Sequence, residues 1–430
     1  MKTKSSGNYT AFFILEYYKK MQAQELKIAD FTYHLPDEKI AQHPIKERDK
    51  SKLLVYKNGE ITESVFNKLP AILNENDCLI FNNTKVVHAR IFFQKESGAR
   101  IEIMCLEPSI PNDAAICFKE TETCQWIALV GNNKKWKEGI LTKNFTINGT
   151  EISLVAERIK QHLDSYIIQF KWNGGFTFAD IIYHAGLLPL PPYMNRDATD
   201  DDEIRYQTVY AEFEGSVAAP TAGLHFTKQV FEKLHQKKIT TEFLTLHVGA
   251  GTFKPVKAEN MSGHEMHEEH VIIDRTLVQN ICNCVVKKNR IITVGTTSLR
   301  TIESLYWFGV YLIANKKDWK KINEMQISQW QPYETENNNL SALQVLKAIL
   351  EWMDLKKINH IHGTTQIMIA PPYQFKLVDA LITNFHQPES TLLLLVSAFI
   401  GEDWSDVYYF ALNNNFRFLS YGDSSILFRK

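Results

Sequence analysis

The chain has 430 residues, of which 44% are hydrophobic and 23% charged, as in ordinary globular proteins. Its 48 lysine and arginine residues balance 49 aspartate and glutamate residues, so the overall charge favours neither nucleic acid nor an anionic membrane, and a polyanion would need a local basic patch. The six cysteines include no Cys-x-x-Cys pair, which argues against a cysteine zinc site or a redox dithiol. The length predicts two or three domains.

Residues 1–29 precede the first recognisable element of a fold. The apolar run in "TAFFILEYY" is too short, and too interrupted by Glu16, for a signal peptide or a membrane span, and no later run approaches about 18 apolar residues. We therefore predict a poorly ordered N-terminal extension, with Met21 as an alternative start, on a cytoplasmic protein that does not contact membranes.

Residues 69–184 consist of short segments with strand character. Segments such as "ARIEIMCL", "QWIALVG" and "SYIIQFKW" are rich in β-branched and aromatic residues and are separated by turn residues. Asn148-Gly149 is typical of a two-residue hairpin turn. The pattern predicts a small β-barrel or sandwich, and we assign a β-barrel domain to 69–184.

Residues 30–68 and 185–430 are predicted to form one discontinuous α/β domain, a sheet covered by helices, into which the β-barrel is inserted. Thr227, Asp274 and Ser390 each stand where they can cap a following helix, and "RIITVG" and "VDALITNFH" are typical of buried strands. Strands and helices alternate in such folds, and ligands bind beyond the carboxyl ends of the strands. We therefore expect chemistry in the loops that follow the strands.

Residues 305–362 are less regular than the rest of this domain and are predicted to be an insertion. "NEMQISQWQPYETENNN" has the composition of a surface loop, and "LSALQVLKAILEWMDLKK" that of a helix. The sequence assigns the insertion no chemical role.

Polar residues and glycines gather in four loops that follow predicted strands. Each loop alone is better explained by helix capping, which contributes about 1 kcal/mol, or by a structural histidine, because short motifs recur by chance. Their recurrence at four strand ends predicts a polar ligand site. The residues are Thr221, Gly223 and His225 in the first loop, Gly249, Gly251 and Thr252 in the second, Thr296, Thr297, Ser298 and Arg300 in the third, and Asn384 and His386 in the fourth.

Three common motifs are missing from these loops. No strand is followed by Gly-x-Gly-x-x-Gly, and neither a phosphate-binding P-loop nor a Gly-x-Ser-x-Gly nucleophile motif occurs. "HVGAGTF" has two of the three glycines of the dinucleotide motif and lacks the third. The sequence therefore does not favour a dinucleotide, a nucleoside triphosphate or a serine nucleophile.

The segment "HEMHEEH", residues 264–270, has the composition of a metal site but not the spacing of one. A zincin helix needs two histidines four residues apart, and no pair here has that separation. If the segment is extended, as the following "EHVIID" suggests, His264 and His267 lie about 10 Å apart, against ligand bonds of about 2.1 Å. General acid–base chemistry by His264, His267 or Glu269 is the better functional interpretation.

Eight motifs occur in the order found in the S-adenosylmethionine:tRNA ribosyltransferase-isomerase family of the queuosine pathway. The resemblance extends from about Asp30 to the end of the chain. The motifs are "FNNTKVVHARI" (81–91), "PLPPYMNR" (189–196), "YQTVYAEFEGSVAAPTAGLHF" (206–226), "LHVGAGTFKPV" (246–256), "HEMHEE" (264–269), "VGTTSLR" (294–300), "VDALITNFHQPESTLLLLVSAF" (378–399) and "SYGDSSI" (420–426).

The resemblance implies a tRNA-modifying enzyme. It implies transfer and isomerisation of the ribosyl group of S-adenosylmethionine onto 7-aminomethyl-7-deazaguanine at the tRNA wobble position, with epoxyqueuosine-tRNA, adenine and methionine as products. It also implies an α/β domain with an inserted β-barrel, no metal and no obligate protein partner. The family pattern at the opening of 264–270 resembles H-x-M-H-x-E, carried here by His264, Met266, His267 and Glu269.

Site roles follow from matching the family motifs to this sequence. We expect acid–base catalysis from His225, His264, His267, Glu269 and His386. We expect S-adenosylmethionine, the co-substrate, to be bound by Thr221, Gly223, Gly249, Gly251, Thr252, Thr296, Thr297, Ser298, Arg300 and Asn384. Contacts to the tRNA are expected from Asn82, Lys85, Arg90, Tyr193, Arg196, Tyr206, Gln207 and Tyr210.

The sequence departs from the family pattern in three places. Lys85 stands where an arginine is common, which keeps the charge but loses the two-pronged phosphate contact. Ser424 and Ser425 replace a more usual Ala-Met pair, and the insertion at 305–362 is longer than expected.

Two other classes of function are considered. A metal-dependent hydrolase would use the histidines and glutamates of 264–270, and the histidine spacing disfavours it. A non-catalytic RNA-binding protein built on the β-barrel would leave the polar residues at the strand ends unexplained, and the balanced charge gives it no support.

Overall fold

The structure is a computed structural model that describes residues 22–112, 114–162, 165–249, 258–335 and 340–430. Residues 1–21 of the predicted N-terminal extension lie outside these ranges. None of the helices within them is both long enough and apolar enough to cross a membrane.

The strands and helices are numbered in chain order. The strands are β1 (Lys52–Lys57), β2 (Glu60–Val65), β3 (Cys78–Asn82), β4 (Thr84–Val86), β5 (Arg90–Gln94), β6 (Arg100–Ile110), β7 (Thr123–Gly131), β8 (Ile140–Ile147), β9 (Thr150–His162), β10 (Ser165–Lys171), β11 (Gly186–Leu187), β12 (Phe213–Ser216), β13 (Thr240–His247), β14 (Glu269–Asp274), β15 (Ile291–Val294), β16 (Met325–Ile327), β17 (His360–Thr365), β18 (Ala380–Asn384) and β19 (Ser424–Phe428). The helices are α1 (Leu69–Ile72), α2 (Ala114–Cys117), α3 (Phe178–Ala185), α4 (Asp200–Arg205), α5 (Lys228–Gln236), α6 (Arg275–Lys287), α7 (Thr296–Ala314), α8 (Gln331–Glu334), α9 (Ala342–Lys356), α10 (Thr391–Ile400) and α11 (Asp403–Asn413).

The chain forms two compact units. The large unit comprises Met1–Asn82, Thr221–Leu246 and Pro255–Lys430, and the small unit comprises Asn83–Pro220 and His247–Lys254.

The large unit is built on a ten-stranded sheet with the strand order β16-β17-β14-β13-β3-β15-β18-β19-β1-β2. The central strands β13, β3, β15 and β18 are parallel to one another, so their carboxyl ends share one edge. Every residue of β3, β15 and β18 is buried, as expected for apolar strands with both faces covered. The predicted α/β architecture is confirmed. We call the edge at Asn82, Leu246, Val294 and Asn384 the carboxyl edge.

Local capping predictions hold for two helices and fail for a third. Thr227 accepts the backbone N–H of Val230 at 3.3 Å, and Ser390 accepts that of Leu393 at 3.2 Å, as predicted. Asp274 occupies the position before α6 but makes no capping hydrogen bond. Its carboxylate lies 2.5 Å from Nδ1 of His360 on β17 instead, because the neighbouring strand offers it a better partner than the helix end.

The insertion contributes more regular structure than its composition predicts. The predicted helix is confirmed as α9, but the segment predicted to be a surface loop contains β16 and the short helix α8. Met325 of β16 pairs in parallel with Gly363 of β17, which extends the sheet by an edge strand. The loop prediction failed because a three-residue edge strand depends on a partner far along the chain.

The small unit contains a seven-stranded antiparallel sheet with the order β11-β5-β6-β7-β10-β9-β8, and β4 pairs with β12 beside it. Irregular register in β6 and β10 bends the sheet around a core that includes Trp126, Phe170 and Phe178. The predicted β-barrel is not confirmed, and a curled sheet is found. The two-residue strand β11 pairs with the edge of β5 that β8 would need for closure.

The predicted hairpin turn is confirmed in this sheet. β8 and β9 pair up to Ile147 and Thr150, and the two residues between them, Asn148 and Gly149, have φ of 48° and 84°. Positive φ at both turn positions matches the twist of the flanking strands, which explains why Asn-Gly occurs there.

Candidate active site at the carboxyl edge

His225 lies at the end of a short 3-10 turn, Thr221–His225, and is 5% exposed. Its Nδ1 is 2.7 Å from Oγ of Ser51, and its ring lies 5.0 Å from that of Phe66. The side-chain amide of Asn384, at the end of β18, donates to Nε2 of His225 at 3.3 Å. Because Nε2 accepts this bond, a neutral ring carries its proton on Nδ1 and donates it to Ser51.

Asn384 holds several groups together at this edge. Its amide nitrogen also lies 3.2 Å from the carbonyl of Leu419 and 3.4 Å from that of Asp423, which fixes the orientation of the amide. Its Oδ1 is buried and has no hydrogen-bond partner among the described residues, and the same holds for the hydroxyl of Ser424 on the adjacent strand β19. Two buried polar atoms here are therefore unsatisfied in the protein alone, as expected where a polar ligand binds.

His386 follows two residues later and is fixed by the backbone around it. Its Nε2 lies 3.0 Å from the hydroxyl of Thr383, and its backbone N–H donates to the hydroxyl of Tyr408 at 3.1 Å. Its carbonyl accepts the hydroxyl of Tyr33.

Burial sets the charge of both histidines. It lowers the pKa of His225 to about 3: a hydrogen bond to the backbone of Arg48 raises this pKa in part, and the charges of Arg417 and Arg48 lower it further. Burial lowers the pKa of His386 to about 4. The charged imidazolium is disfavoured because a buried site cannot hydrate it. Both rings are therefore neutral near pH 7.

The amino end of α7 lies at the same edge, directly after β15. Gly295 precedes it with φ of +92°, a conformation that favours glycine, and provides no side-chain cap. The hydroxyl of Ser298 bonds back to the carbonyl of Val294 at 2.8 Å, while Thr296 is buried and Thr297 half-buried. A 19-residue helix whose amino end lacks a side-chain cap attracts negative charge.

Arg300, in the first turns of α7, forms a buried ion pair with Glu269 at the start of β14. Nη1 of Arg300 contacts Oε2 of Glu269, and its Nε donates to the carbonyl of Ile367 at 3.1 Å. Burial raises the pKa of the Glu269 carboxyl, and Arg300 lowers it in part. Nη2 of Arg300 and Oε1 of Glu269 are buried without partners among the described residues, so one donor and one acceptor are left for a ligand.

The segment 264–268 is extended without being part of a strand, and β14 begins directly after it. His264 is half-buried, and burial, then the nearby His267, lowers its pKa. His267 is exposed. Among the described residues no group of three histidine, cysteine or acidic side chains could hold a metal ion, so the metal-site hypothesis for 264–270 gains no support.

Side-chain amides hold this segment in place. Gln329 accepts the backbone N–H of Met266 at 2.9 Å and donates to the carbonyl of His264 at 2.7 Å. Gln366 donates to the carbonyl of Met266 at 3.0 Å. Sequence analysis missed both glutamines and Ser51, since a lone Gln or Ser carries no motif and each acts through contacts distant in sequence.

The remaining predicted ligand residues are spread between the two units. Thr221 and Gly223 lie in the turn that carries His225. Gly249 belongs to the small unit, and Gly251 and Thr252 lie outside the described residues.

The predicted tRNA contacts are mostly engaged within the protein. Asn82 is fully buried and exchanges two hydrogen bonds with the backbone of Leu246. The others belong to the small unit, and the three cations among them form ion pairs: Lys85 with Glu214 at 2.8 Å, Arg90 with Glu102 at 2.6 Å and Arg196 with Asp202 at 2.6 Å. The side chain of Gln207 forms hydrogen bonds with the backbone of Val86. Tyr206 is fully buried, whereas Tyr193 and Tyr210 are half-buried.

The sequence of this chain is similar to those of known proteins. Residues 28–427 match the family model described as "Queuosine biosynthesis protein". The chain belongs to this family. Members similar to it include proteins named S-adenosylmethionine:tRNA ribosyltransferase-isomerase from Halothermothrix orenii (37% identical), Clostridioides difficile (38%) and a Thermoanaerobacter species (36%). Each match covers 94% of this chain and 100% of the relative.

A solved member of this queuosine biosynthesis family is also similar. It is the S-adenosylmethionine tRNA ribosyltransferase from Thermotoga maritima, 28% identical, with a TM-score of 0.44 over 93% of this chain and 99% of that one.

Proposed function

We propose that this protein is a transferase-isomerase that moves the ribosyl group of S-adenosylmethionine onto 7-aminomethyl-7-deazaguanine at the tRNA wobble position. The products are epoxyqueuosine-tRNA, adenine and methionine. The observation that carries the proposal is the match to three relatives of this name at 36–38% identity, each over its full length.

The reaction needs a base that is unprotonated near neutral pH. The sulfonium of S-adenosylmethionine acidifies the ribose C5′ protons, and removal of one starts opening of the sugar and loss of adenine. The incoming aminomethyl group must also lose a proton before it attacks. His264 and His267 suit these transfers because His264 is only half-buried and His267 is exposed to solvent.

His225 and His386 suit a different role. With pKa values of about 3 and 4 they are weak bases, and Nε2 of His225 already accepts from Asn384. A general base works best when its pKa is near the working pH. The two buried rings therefore orient Asn384 and the backbone at the carboxyl edge as neutral hydrogen-bonding groups.

The unsatisfied buried atoms fit the polar groups of S-adenosylmethionine. Nη2 of Arg300 and the amino end of α7 suit the methionine carboxylate, because both favour negative charge. Oδ1 of Asn384 and Oε1 of Glu269 accept hydrogen bonds and suit ribose hydroxyls or the ammonium group.

The tRNA half of the proposal rests on the small unit. A single-stranded anticodon loop is recognised through stacking on aromatic rings and contacts to splayed bases. Tyr193 and Tyr210 are half-buried, and Lys85 and Arg196 present cations that can exchange a carboxylate partner for a phosphate.

One assay tests the proposal. Protein as purified is incubated, with and without a chelator, with S-adenosylmethionine and tRNA that carries the aminomethyl-deazaguanine precursor, and adenine release is measured. We expect adenine only when both substrates are present, and equal rates with and without a chelator. No adenine from folded protein would overturn the proposal, and a rate abolished by the chelator would favour the metal-dependent hydrolase.

A further inference from the structure

The insertion reaches the candidate catalytic segment through one side chain. Gln329 lies two residues after the end of β16, and its amide makes two hydrogen bonds to the segment 264–266: Oε1 accepts the N–H of Met266 at 2.9 Å, and Nε2 donates to the carbonyl of His264 at 2.7 Å. A neighbouring β-strand would make the same two bonds to alternate residues. The glutamine amide therefore takes the place of a strand beside His264.

The backbone around Gln329 is itself held in place by hydrogen bonds. Its carbonyl accepts the N–H of Met368 at 3.0 Å, and the carbonyl of Ile327, two residues earlier, accepts the N–H of Gln366 at 2.9 Å. The stretch that follows β17 thus supports Gln329 from one side. The same stretch supplies the carbonyl of Ile367 to Arg300 and the amide of Gln366 to Met266.

The segment depends on these amides because it belongs to no strand or helix. Residues 264–268 have no regular secondary structure, and the two histidines expected to move protons lie at its first and fourth positions. A displacement of about 1 Å in a catalytic group can lower a rate by about 100-fold. A segment with little support of its own needs a fixed partner to keep such precision.

We propose that Gln329 is a positioning residue that fixes the backbone at His264 and Met266 and thereby orients the imidazoles of His264 and His267. This gives the insertion a role in the reaction although it supplies no reacting group. The inference rests on the proposed function for its kinetic consequence, but the hydrogen bonds themselves can be tested without it.

The test uses Gln329→Leu, which keeps the approximate volume and removes both hydrogen bonds. The matched control is Gln326→Leu, at an exposed glutamine on β16 whose amide donates to Glu324 at 2.6 Å. Hydrogen exchange of the Met266 amide reports directly on the bond to Gln329. We expect exchange at Met266 to be about tenfold faster or more in Gln329→Leu, and unchanged in the control.

Kinetics then test the positioning role. We expect kcat for adenine release to fall about tenfold or more in Gln329→Leu, with KM for S-adenosylmethionine within about threefold, because the loss acts on the reacting groups. Gln329→Glu keeps an acceptor for Met266 but loses the donor to His264, so it should keep Met266 protected and show an intermediate kcat.

The outcomes separate the two proposals. Unchanged exchange at Met266 in folded Gln329→Leu overturns the inference whatever the activity. Faster exchange with a wild-type kcat overturns the positioning role. If wild-type protein releases no adenine, the proposed function fails, and the exchange measurement still decides whether Gln329 holds the segment.

Discussion

His225 and His386 show how burial fixes the protonation of a side chain before any substrate binds. In the unfolded chain both imidazoles titrate near pH 6.5, but in the folded protein their pKa values are about 3 and 4. Between these values and pH 6.5 the unfolded state binds more protons than the folded state. The contribution of the two rings to the free energy of unfolding is therefore fully present above about pH 6.5, and it is lost as the pH falls below that value.

We predict that the free energy of unfolding of wild-type protein falls between pH 6.5 and 4, with about 1.4 kcal/mol per pH unit due to His225. His225→Gln removes this titration, so its slope should be shallower by about that amount. Urea unfolding at half-unit steps of pH measures both slopes. His235→Gln, at an exposed histidine of α5, serves as the control for the substitution itself. Equal slopes for wild type and His225→Gln would show that His225 is not held neutral.

Glu269 and His267 belong to the same motif but differ in their structural role. Glu269 is 4% exposed and paired with Arg300, so Glu269→Ala leaves a buried guanidinium without its carboxylate and should lower the free energy of unfolding by about 3 kcal/mol or more. His267→Ala, at an exposed position, should change it by less than about 0.5 kcal/mol and still reduce adenine release. Urea unfolding beside the adenine assay measures both, and wild-type stability of Glu269→Ala would contradict the buried-pair interpretation.

At the scale of elements, α7 organises the edge of the sheet through a fully buried carboxylate. Glu303 accepts the hydroxyl of Tyr373 at 2.7 Å and the backbone N–H groups of Lys376, Leu377 and Val378 at 2.9 to 3.0 Å. It thereby fixes the loop that leads into β18.

We predict that Glu303→Ala lowers the free energy of unfolding by about 3 kcal/mol or more, since each buried donor left unpaired costs about 1 to 3 kcal/mol. Glu303→Gln keeps one acceptor oxygen and should lose less. Chemical denaturation measures the change, with the same m-value, the slope of the free energy against denaturant concentration, used for wild type and variant. Glu351→Ala on α9, an exposed glutamate that faces Lys316 at 3.8 Å, serves as the control and should change stability by less than about 0.5 kcal/mol. A similar small change for Glu303→Ala would contradict the role of Glu303.

Elements could be predicted from the sequence where local chemistry decides them. Thr227 and Ser390 cap their helices, and Asn148-Gly149 turns its hairpin, because these choices depend on a few neighbouring residues. Asp274 failed as a cap because His360, 86 residues away, takes its carboxylate. Closure of the β-barrel and the presence of β16 likewise depended on pairing partners that no local pattern specifies.

For the whole molecule, topology explains why the predicted loops meet and why others were missed. Parallel strands share a carboxyl edge, so Arg300 and Asn384 could be grouped from their places at the ends of β15 and β18. His225 instead follows β12, which pairs with β4 outside this sheet, so the sequence pattern alone does not explain its place beside Asn384. Ser51 precedes β1, and Gln329 lies in the insertion; neither follows a predicted strand of the sheet. Their roles depend on tertiary contacts at 2.7 to 2.9 Å, which sequence patterns do not encode.

The charge of the whole molecule governs how tRNA binding should respond to salt. The chain has a net charge of −1, and the predicted contacts Lys85, Arg90 and Arg196 are each paired with a carboxylate, so few phosphates can be neutralised. With about three phosphate contacts, the slope of log affinity against log salt should be about −2 to −3. Fluorescence anisotropy of labelled tRNA across a series of KCl concentrations measures this slope. Lys85→Gln should make it shallower by about one, because a phosphate contact is lost without a change in base recognition. A wild-type slope steeper than about −6 would instead require a basic surface outside these three residues.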